Sequence, residues 1–263
     1  MIIDRGLQTW QREKLSWLAP GARLGFVPTM GALHEGHATL LRRARQENDA
    51  VLLSIFVNPT QFNDPRDLEL YPRPIEKDLQ IARECGVDRV WLPEYQDLYP
   101  DEFHYRVDES FLSTQLCGRT RPGHFTGVLS VVLKLLGLAQ ISADPELQRA
   151  YFGEKDFQQL ELIRGMVRAF ALPWEIRPMP TVREPDGLAL SSRNLRLSPA
   201  ARAVAPRLYQ VLRSATNLDR ARAELEAAGF RVDYLEEHSF ASGRRRFVAA
   251  FLEEVRLIDN VEI

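Results

Sequence analysis

Two rhythms of apolar and polar positions alternate along the N-terminal two-thirds of the chain. Leu24–Pro28 is a short apolar run closed by a proline. Ala38–Asn48 sets Leu40, Leu41 and Ala44 on one side and arginines on the other, the spacing of an amphipathic helix. Ala50–Val57 is an apolar run, as expected of a parallel strand covered on both faces. Strand, helix and strand in this compass make a βαβ unit. The theme repeats. Ile75–Cys85 reads as a helix ended by Gly86, and Val87–Leu92 as a strand. Phe125–Leu138 reads as a helix, Ala150–Gly153 as the end of a strand, Phe157–Phe170 as a helix and Trp174–Val182 as extended. The alternation predicts an α/β fold built on an open, Rossmann-like parallel sheet.

The rhythm changes near Glu184–Ser198. Ala200–Ala215 and Leu218–Ala228 read as helices, the second ended by Gly229. Phe230–Leu235 and Arg246–Leu257 read as strands split by a turn over Ser239–Arg246. Residues 1–183 are therefore expected to form the Rossmann-like domain and 184–263 a small α+β C-terminal domain. The run Gly243-Arg-Arg-Arg246 reads as a solvated hairpin tip, with phosphate binding as the alternative.

Composition excludes several classes. A hydrophobic share of 45% and a charged share of 27% suit a packed globular chain. The formal net charge is −2, so no bulk field exists to hold a nucleic-acid backbone. No apolar run approaches the ~20 residues of a membrane span. Met1–Gly6 shows no basic region leading into an apolar stretch, so no signal peptide is visible. Cys85 and Cys117 cannot build a disulfide framework and form no CxxC pair. A cytoplasmic location is the expectation.

Four stretches carry candidate chemistry. Pro28-Thr-Met-Gly-Ala-Leu-His-Glu-Gly-His37 lies between the first apolar run and the first helix pattern. Ligands bind where the carboxyl ends of such strands meet helix N-termini. His34 and His37 are one helical turn apart and share a face, an HxGH arrangement suited to an α-phosphate. Helix capping is the plain alternative, and without a third Cys or His nearby the pair falls short of a closed zinc site. In Phe152-Gly-Glu-Lys-Asp-Phe-Gln-Gln159, Lys155 can neutralise phosphate, while Asp156 can cap the next helix and accept from a ribose hydroxyl. In Asp186-Gly-Leu-Ala-Leu-Ser-Ser-Arg-Asn194, two hydroxyls and an arginine can clamp a polyphosphate; a plain linker is the alternative. There is no GxxxxGK[ST] loop. In Phe56-Val-Asn-Pro-Thr-Gln-Phe62, Asn58 and Gln61 suit a small hydroxylated or carboxylated substrate, and a simple turn is again the alternative.

Taken in order, Val27–His37, Val57–Phe62, Arg121-Pro-Gly-His-Phe-Thr-Gly-Val128, Phe152–Gln159 and Leu190-Ser-Ser-Arg-Asn194 resemble the pantoate–β-alanine ligase family, as does the Arg256–Asn260 ending. The resemblance implies a nucleotidyltransferase-type Rossmann domain with a C-terminal lid, a homodimer, and ATP with Mg²⁺. By position, Met30, Gly31, Ala32, Leu33, His34, Glu35, Gly36 and His37 would contact ATP, with His37 as the proton donor. Gly153, Glu154, Lys155 and Asp156 would hold the nucleotide, Lys155 on phosphate and Asp156 on ribose. Val182 would contact adenine; Leu190, Ser191, Ser192 and Arg193 would complete the triphosphate site. Gln61 and Gln159 would bind pantoate, and Gln61 also β-alanine.

The chain departs from the family in four places. Leu190 stands where methionine is usual. Lys77-Asp78 replaces an acidic pair, which leaves the magnesium ligands unassigned. Gln140–Arg149 is longer than usual, an expected loop excursion beside the site, and the C-terminal domain is short. The implied reaction is adenylation of pantoate followed by attack of the β-alanine amine, with His34, His37, Lys155 and Arg193 stabilising the charge that grows on phosphate. Another HxGH nucleotidyltransferase and a non-catalytic ATP-binding module are the alternatives.

Overall fold

The computed structural model describes residues 1–14 and 16–263. Its elements run β1 (Ile2–Arg5), α1 (Leu7–Glu13), β2 (Leu24–Thr29), α2 (Glu35–Glu47), β3 (Ala50–Ile55), α3 (Pro65–Glu69), α4 (Ile75–Glu84), β4 (Arg89–Leu92), α5 (Tyr95–Leu98), α6 (Leu116–Thr120), α7 (His124–Ala139), β5 (Gln148–Gly153), α8 (Phe157–Ala169) and β6 (Glu175–Met179). Then come α9 (Pro199–Val204), α10 (Arg207–Ser214), α11 (Leu218–Ala227), β7 (Arg231–Phe240), β8 (Gly243–Leu252) and β9 (Val255–Glu262).

The first six strands form one parallel sheet in the order β1-β4-β3-β2-β5-β6. Alternate residues along each strand face opposite sides. Leu24, Phe26, Leu52, Trp91 and Ala150 pack with residues of α7 and α8 on one face. Val27, Val51, Leu53, Val90 and Tyr151 pack with residues of α2 and α4 on the other. Both faces are covered, which is why these strands read as apolar runs rather than alternating ones. From β2 the chain builds outward through β3 and β4, then returns to lay β5 on the other side of β2. The order reverses between β2 and β5, and the loops after these two strands flank the crevice that such a reversal opens.

The last three strands form a separate antiparallel sheet, β7-β8-β9. One face takes Leu208, Val211, Leu212, Ala221 and Leu225 from α10 and α11. The other carries Tyr234, Phe247 and Ala249 into the main core beside Phe157 of α8.

Several sequence expectations change. Ala200–Ala215 is two helices, because Pro206 has no N–H for the bond to the preceding turn. Arg246–Leu257 is parts of two strands: the chain turns at Glu253–Glu254, with Glu253 at φ 53° and no glycine to signal it. Only Ala241 and Ser242 separate β7 from β8, so Gly243–Arg246 is strand rather than hairpin tip. Arg246 is buried, its guanidinium held by Glu237 and the carbonyls of Leu212 and Ala215. β1 and α1 add an edge to the sheet that the apolar pattern does not announce. Asp4 of β1 is buried in an ion pair with Arg89, and Arg89 Nε donates to it at 2.8 Å. Gln140–Arg149 leads into the N-terminal end of β5, opposite the loops that follow β2 and β5, so it is not beside the site. Gln148 pins it by donating to the Ser142 carbonyl at 2.9 Å.

Candidate active site

The loop after β2 is folded by a carboxylate from far along the chain. Asp78 of α4 is buried and accepts from the backbone N–H of Ala32 at 2.9 Å and of Leu33 at 2.7 Å. Gly31 and Ala32 both have positive φ, 79° and 51°. A side chain at Gly31 would meet Asp78 Oδ2 at 2.9 Å, so glycine is required there on both counts. Burial raises the Asp78 pKa, and the two amides only partly oppose it. Lys77-Asp78 is thus a loop anchor: both Asp78 oxygens are taken by backbone.

That loop delivers His34 to the N-cap of α2 and His37 to its first turn. Gly36 N–H donates to His34 Nδ1 at 3.1 Å, and His34 N–H donates to His37 Nδ1 at 3.3 Å. The ring centroids are 4.2 Å apart. A nitrogen that accepts from a backbone N–H carries no proton, so each ring donates through Nε2–H. Burial is the largest cause for both rings; Lys155 then helps lower the His34 pKa to about 4, and the adjacent His34 ring, ahead of Lys155, helps lower the His37 pKa to about 3. Both rings are neutral at pH 7. Capping and phosphate recognition are therefore compatible: one nitrogen caps, the other is left to donate.

The loop after β5 is a single turn, Glu154–Asp156, that leads into α8. Lys155 Nζ lies 3.8 Å from Asp156 Oδ2. Asp156 occupies the N-cap position of α8 but makes no side-chain capping bond, contrary to the sequence expectation. Asn260 of β9 donates to the carbonyls of Glu154 and Lys155 at 2.9 and 3.0 Å. Arg245 lies over the Phe157 ring and reaches Glu154.

The third wall comes from the segment between the two sheets. Ser191 Oγ accepts from Arg193 N–H at 3.2 Å and starts a turn over Ser192–Arg196. Leu190 N–H donates to the Val182 carbonyl at 3.0 Å, which folds 182–190 back on itself. Arg193 and Arg196 both bind Asp67 of α3, at 2.8 and 2.7 Å. Burial pushes the Asp67 carboxyl up, but the two arginines outweigh it and leave it below its ordinary value.

On the fourth side, Gln61 ends the turn after β3. Its Oε1 accepts from Asn58 Nδ2 at 3.1 Å, and its Nε2 lies 3.0 Å from Met30 Sδ. Asn58 is buried and committed to Tyr99, Thr60 and the Gly127 carbonyl, so it supports the turn. α7 presses on this turn: a Cβ at Gly127 would sit 2.3 Å from the Thr60 carbonyl oxygen.

These pieces enclose a cavity of about 260 Å³. Met30, His34, Gly36, His37 and Gln61 line one side, and Gly153, Lys155, Asp156 and Gln159 another. Val182, Leu190, Ser191, Ser192 and Arg193 complete it. Five sequence candidates are not on its wall. Ala32 and Leu33 are buried behind it, Gly31 serves the turn, Glu35 pairs with Arg42, and Glu154 faces Arg245. A second cavity of about 410 Å³ adjoins the first and shares Arg121, His124, Lys155, Asp156, Gln159, Ser191 and Arg193 with it. Sequence reasoning gave no role to Asp67, Asp78, Arg121 or His124. Arg121 and His124 lie within the Arg121–Val128 motif; Asp67 and Asp78 act across long separations that no local pattern signals.

The pantoate-beta-alanine ligase family model matches residues 4–262. A pantothenate synthetase of Bdellovibrio bacteriovorus is 53% identical over 97% of this chain and 96% of its own length. One from Legionella pneumophila (strain Corby) is 45% identical over 99% of each chain. Among solved structures, the pantoate-beta-alanine ligase of Francisella tularensis, complexed with beta-gamma ATP and beta-alanine, superposes with a TM-score of 0.91 at 39% identity, covering 100% of this chain and 97% of that one. The pantothenate synthetase of Thermus thermophilus gives a TM-score of 0.89 at 42% identity, covering 100% and 99%.

Proposed function

The chain belongs to the pantoate–β-alanine ligase family, and from that premise we propose how its own residues carry the reaction. The enzyme is an amide-forming ligase that condenses pantoate with β-alanine at the expense of ATP, giving pantothenate, AMP and diphosphate. In the first step a pantoate carboxylate oxygen attacks the α-phosphorus, and the bond to the β-phosphate bridge breaks. In the second the β-alanine nitrogen attacks the acyl carbon of pantoyl adenylate, AMP leaves with the bridging oxygen, and the amine gives up a proton.

The observation that carries the residue assignment is the pair of neutral imidazoles, each holding a backbone N–H on Nδ1 and left with Nε2–H as a donor beside one cavity. Donors fixed before the reaction stabilise growing phosphate charge without reorganising. His37, with His34, would donate to the α-phosphate; Lys155 and Arg193 would neutralise the phosphate chain. Asp156, whose carboxylate makes no capping bond, would accept from the ribose, and Val182 would meet the adenine. Met30, Gly36, Gly153, Leu190, Ser191 and Ser192 would shape the rest of the nucleotide site. Gly31, Ala32, Leu33, Glu35 and Glu154 would support it from behind. Gln61 and Gln159 would bind pantoate, and Gln61 would also face β-alanine. The adenylate is prone to hydrolysis, so excluding water matters once it forms.

Mg²⁺ would enter with ATP. Asp78 is committed to backbone, and no group of three or more His, Cys, Asp or Glu side chains suited to a metal occurs among the described residues. The ion's ligands would then be phosphate oxygens and water, the usual habit of magnesium, and its contribution would be charge neutralisation.

Residues 1–183 would act as the ATP- and pantoate-binding domain and 184–263 as the lid. Support comes from the bonds of Arg193 to Asp67 and of Asn260 to the Lys155 loop. A homodimer is in keeping with Tyr105 and Phe111, which are 80% and 73% exposed. Two free, buried cysteines suit a reducing cytoplasm. Among the described residues no helix is long and apolar enough to cross a membrane.

The test is product release. Diphosphate should appear from ATP only with pantoate, and continuous AMP turnover only when β-alanine is added. Diphosphate without amine-dependent AMP would leave adenylation standing with a different acceptor.

A further inference from the structure

Six cations line the two adjoining cavities: Arg66, Arg121, Lys155, Arg193, Arg196 and Arg256. Five have a carboxylate within 4.0 Å. Among the described residues Arg121 alone has none. Its bonds go to neutral groups: Nε donates to Asn63 Oδ1 at 3.0 Å, and one terminal nitrogen donates to the Gln61 carbonyl at 3.4 Å. The other terminal nitrogen lies 3.2 Å from His124 Nε2. His124 Nδ1 bonds the Gln61 carbonyl at 2.8 Å, so it must be the protonated nitrogen, and Nε2 is free to accept from Arg121. The guanidinium is partly buried, and burial together with Arg193 pushes its pKa down to about 10, so it remains charged at neutral pH. A partly buried cation without a counter-charge, facing a cavity, is costly unless a ligand supplies the anion.

We propose that Arg121 is the receptor for the carboxylate of the amine substrate, which reaches it through the larger cavity. The proposal rests on the ligase reading above. Lys155 and Arg193 are assigned there to phosphate, and Arg256 is held by Asp233 at 2.8 Å. The carboxylate of an ω-amino acid needs a cation of its own, separate from the nucleotide. His124 bonds the Gln61 carbonyl at 2.8 Å and α7 packs on the same turn, so Gln61 is held without Arg121, whose own contact with that carbonyl is the long one at 3.4 Å. A planar guanidinium also suits two-point binding of a carboxylate. Arg121 thereby selects acceptors that carry an acid group at the end remote from the amine.

The test uses the full-length enzyme and Arg121→Gln. Pantoate-dependent exchange of labelled diphosphate into ATP reads adenylation; KM for β-alanine, and the preference for β-alanine over propylamine, read the second step. The expected result is exchange within about threefold of wild type, a KM for β-alanine raised on the order of 10²-fold, and collapse of the preference over propylamine. An unchanged β-alanine KM, or a raised pantoate KM with loss of exchange, overturns the assignment. Absence of pantoate-dependent exchange in the wild type would instead sink the ligase reading. If Arg121→Gln does not fold, propionate with the wild-type enzyme carries the same question. It should compete with β-alanine and not with pantoate; no inhibition, or competition with pantoate, overturns the assignment.

Discussion

Replacing Asp78 with Asn isolates the contact that shapes the loop after β2. The carboxylate takes one backbone N–H on each oxygen, 2.9 Å from Ala32 and 2.7 Å from Leu33. An amide of the same shape keeps one acceptor and turns an NH₂ toward the other N–H. One charge-assisted bond is lost and one buried donor is orphaned; either change is worth about 1–3 kcal/mol, and the two overlap. A term of opposite sign exists. Burial raises the Asp78 pKa, so its charge is a burden in the folded state that Asn relieves. The orphaned donor should win, because relief of charge leaves Ala32 still held in the left-handed region at φ 51° with half its support. The expected net loss is about 2 kcal/mol for Asp78→Asn, and about twice that for Asp78→Ala, which orphans both donors. The loop carries His34, so a shift of about 1 Å should also lower kcat by about 10²-fold. Denaturant unfolding and steady-state kinetics on both variants read these numbers. Wild-type midpoints with wild-type kcat in both would refute the anchoring role, as would an Ala variant no worse than the Asn variant.

Other consequences are as specific. His37→Ala and Lys155→Ala should each slow pantoate-dependent diphosphate release by about 10²–10³-fold, the usual loss when a fixed donor to developing charge is removed; near-normal turnover would remove that residue from the mechanism. His34, His37 and His124 have folded-state pKa values of about 4, 3 and 3, below their ordinary 6.5. The unfolded chain therefore binds more protons between roughly pH 4 and 6.5, and stability should rise with pH across that window and be complete above it. Unfolding of His34→Gln as a function of pH should show a slope shallower by up to one proton, about 1.4 kcal/mol per pH unit, and an unchanged slope would mean that His34 is not held neutral. Asn260→Ala removes two bonds under Lys155 and should destabilise by about 1–2 kcal/mol while raising the KM for ATP; a change in stability alone would detach Asn260 from the site.

The parallel sheet and the HxGH loop were legible because both are local patterns. A strand covered on both faces writes an apolar run, and two histidines one turn apart at a helix start announce a shared face. What the sequence hid lies in distant pairings. Asp78 is 46 residues from Ala32, and Asp67 is 126 residues from Arg193. Lys77-Asp78 leaves the magnesium ligands unassigned in the sequence, and the carboxylate's service to the backbone is written in no local pattern. The C-terminal hairpins were misplaced for a local reason: Glu253 makes its turn at φ 53° with no glycine to mark it, whereas Gly243 lies in a strand. Arginine clusters look solvated in sequence, yet Arg246 is buried by partners that only the fold brings near.

Activation of the acyl group at the α-phosphorus is the step on which every proposed residue role depends. Pantoate labelled with ¹⁸O in its carboxylate tests it most directly. After complete turnover with ATP and β-alanine, mass spectrometry should find one ¹⁸O in each AMP and none in diphosphate. Unlabelled AMP, or ¹⁸O in inorganic phosphate, would contradict attack at the α-phosphorus.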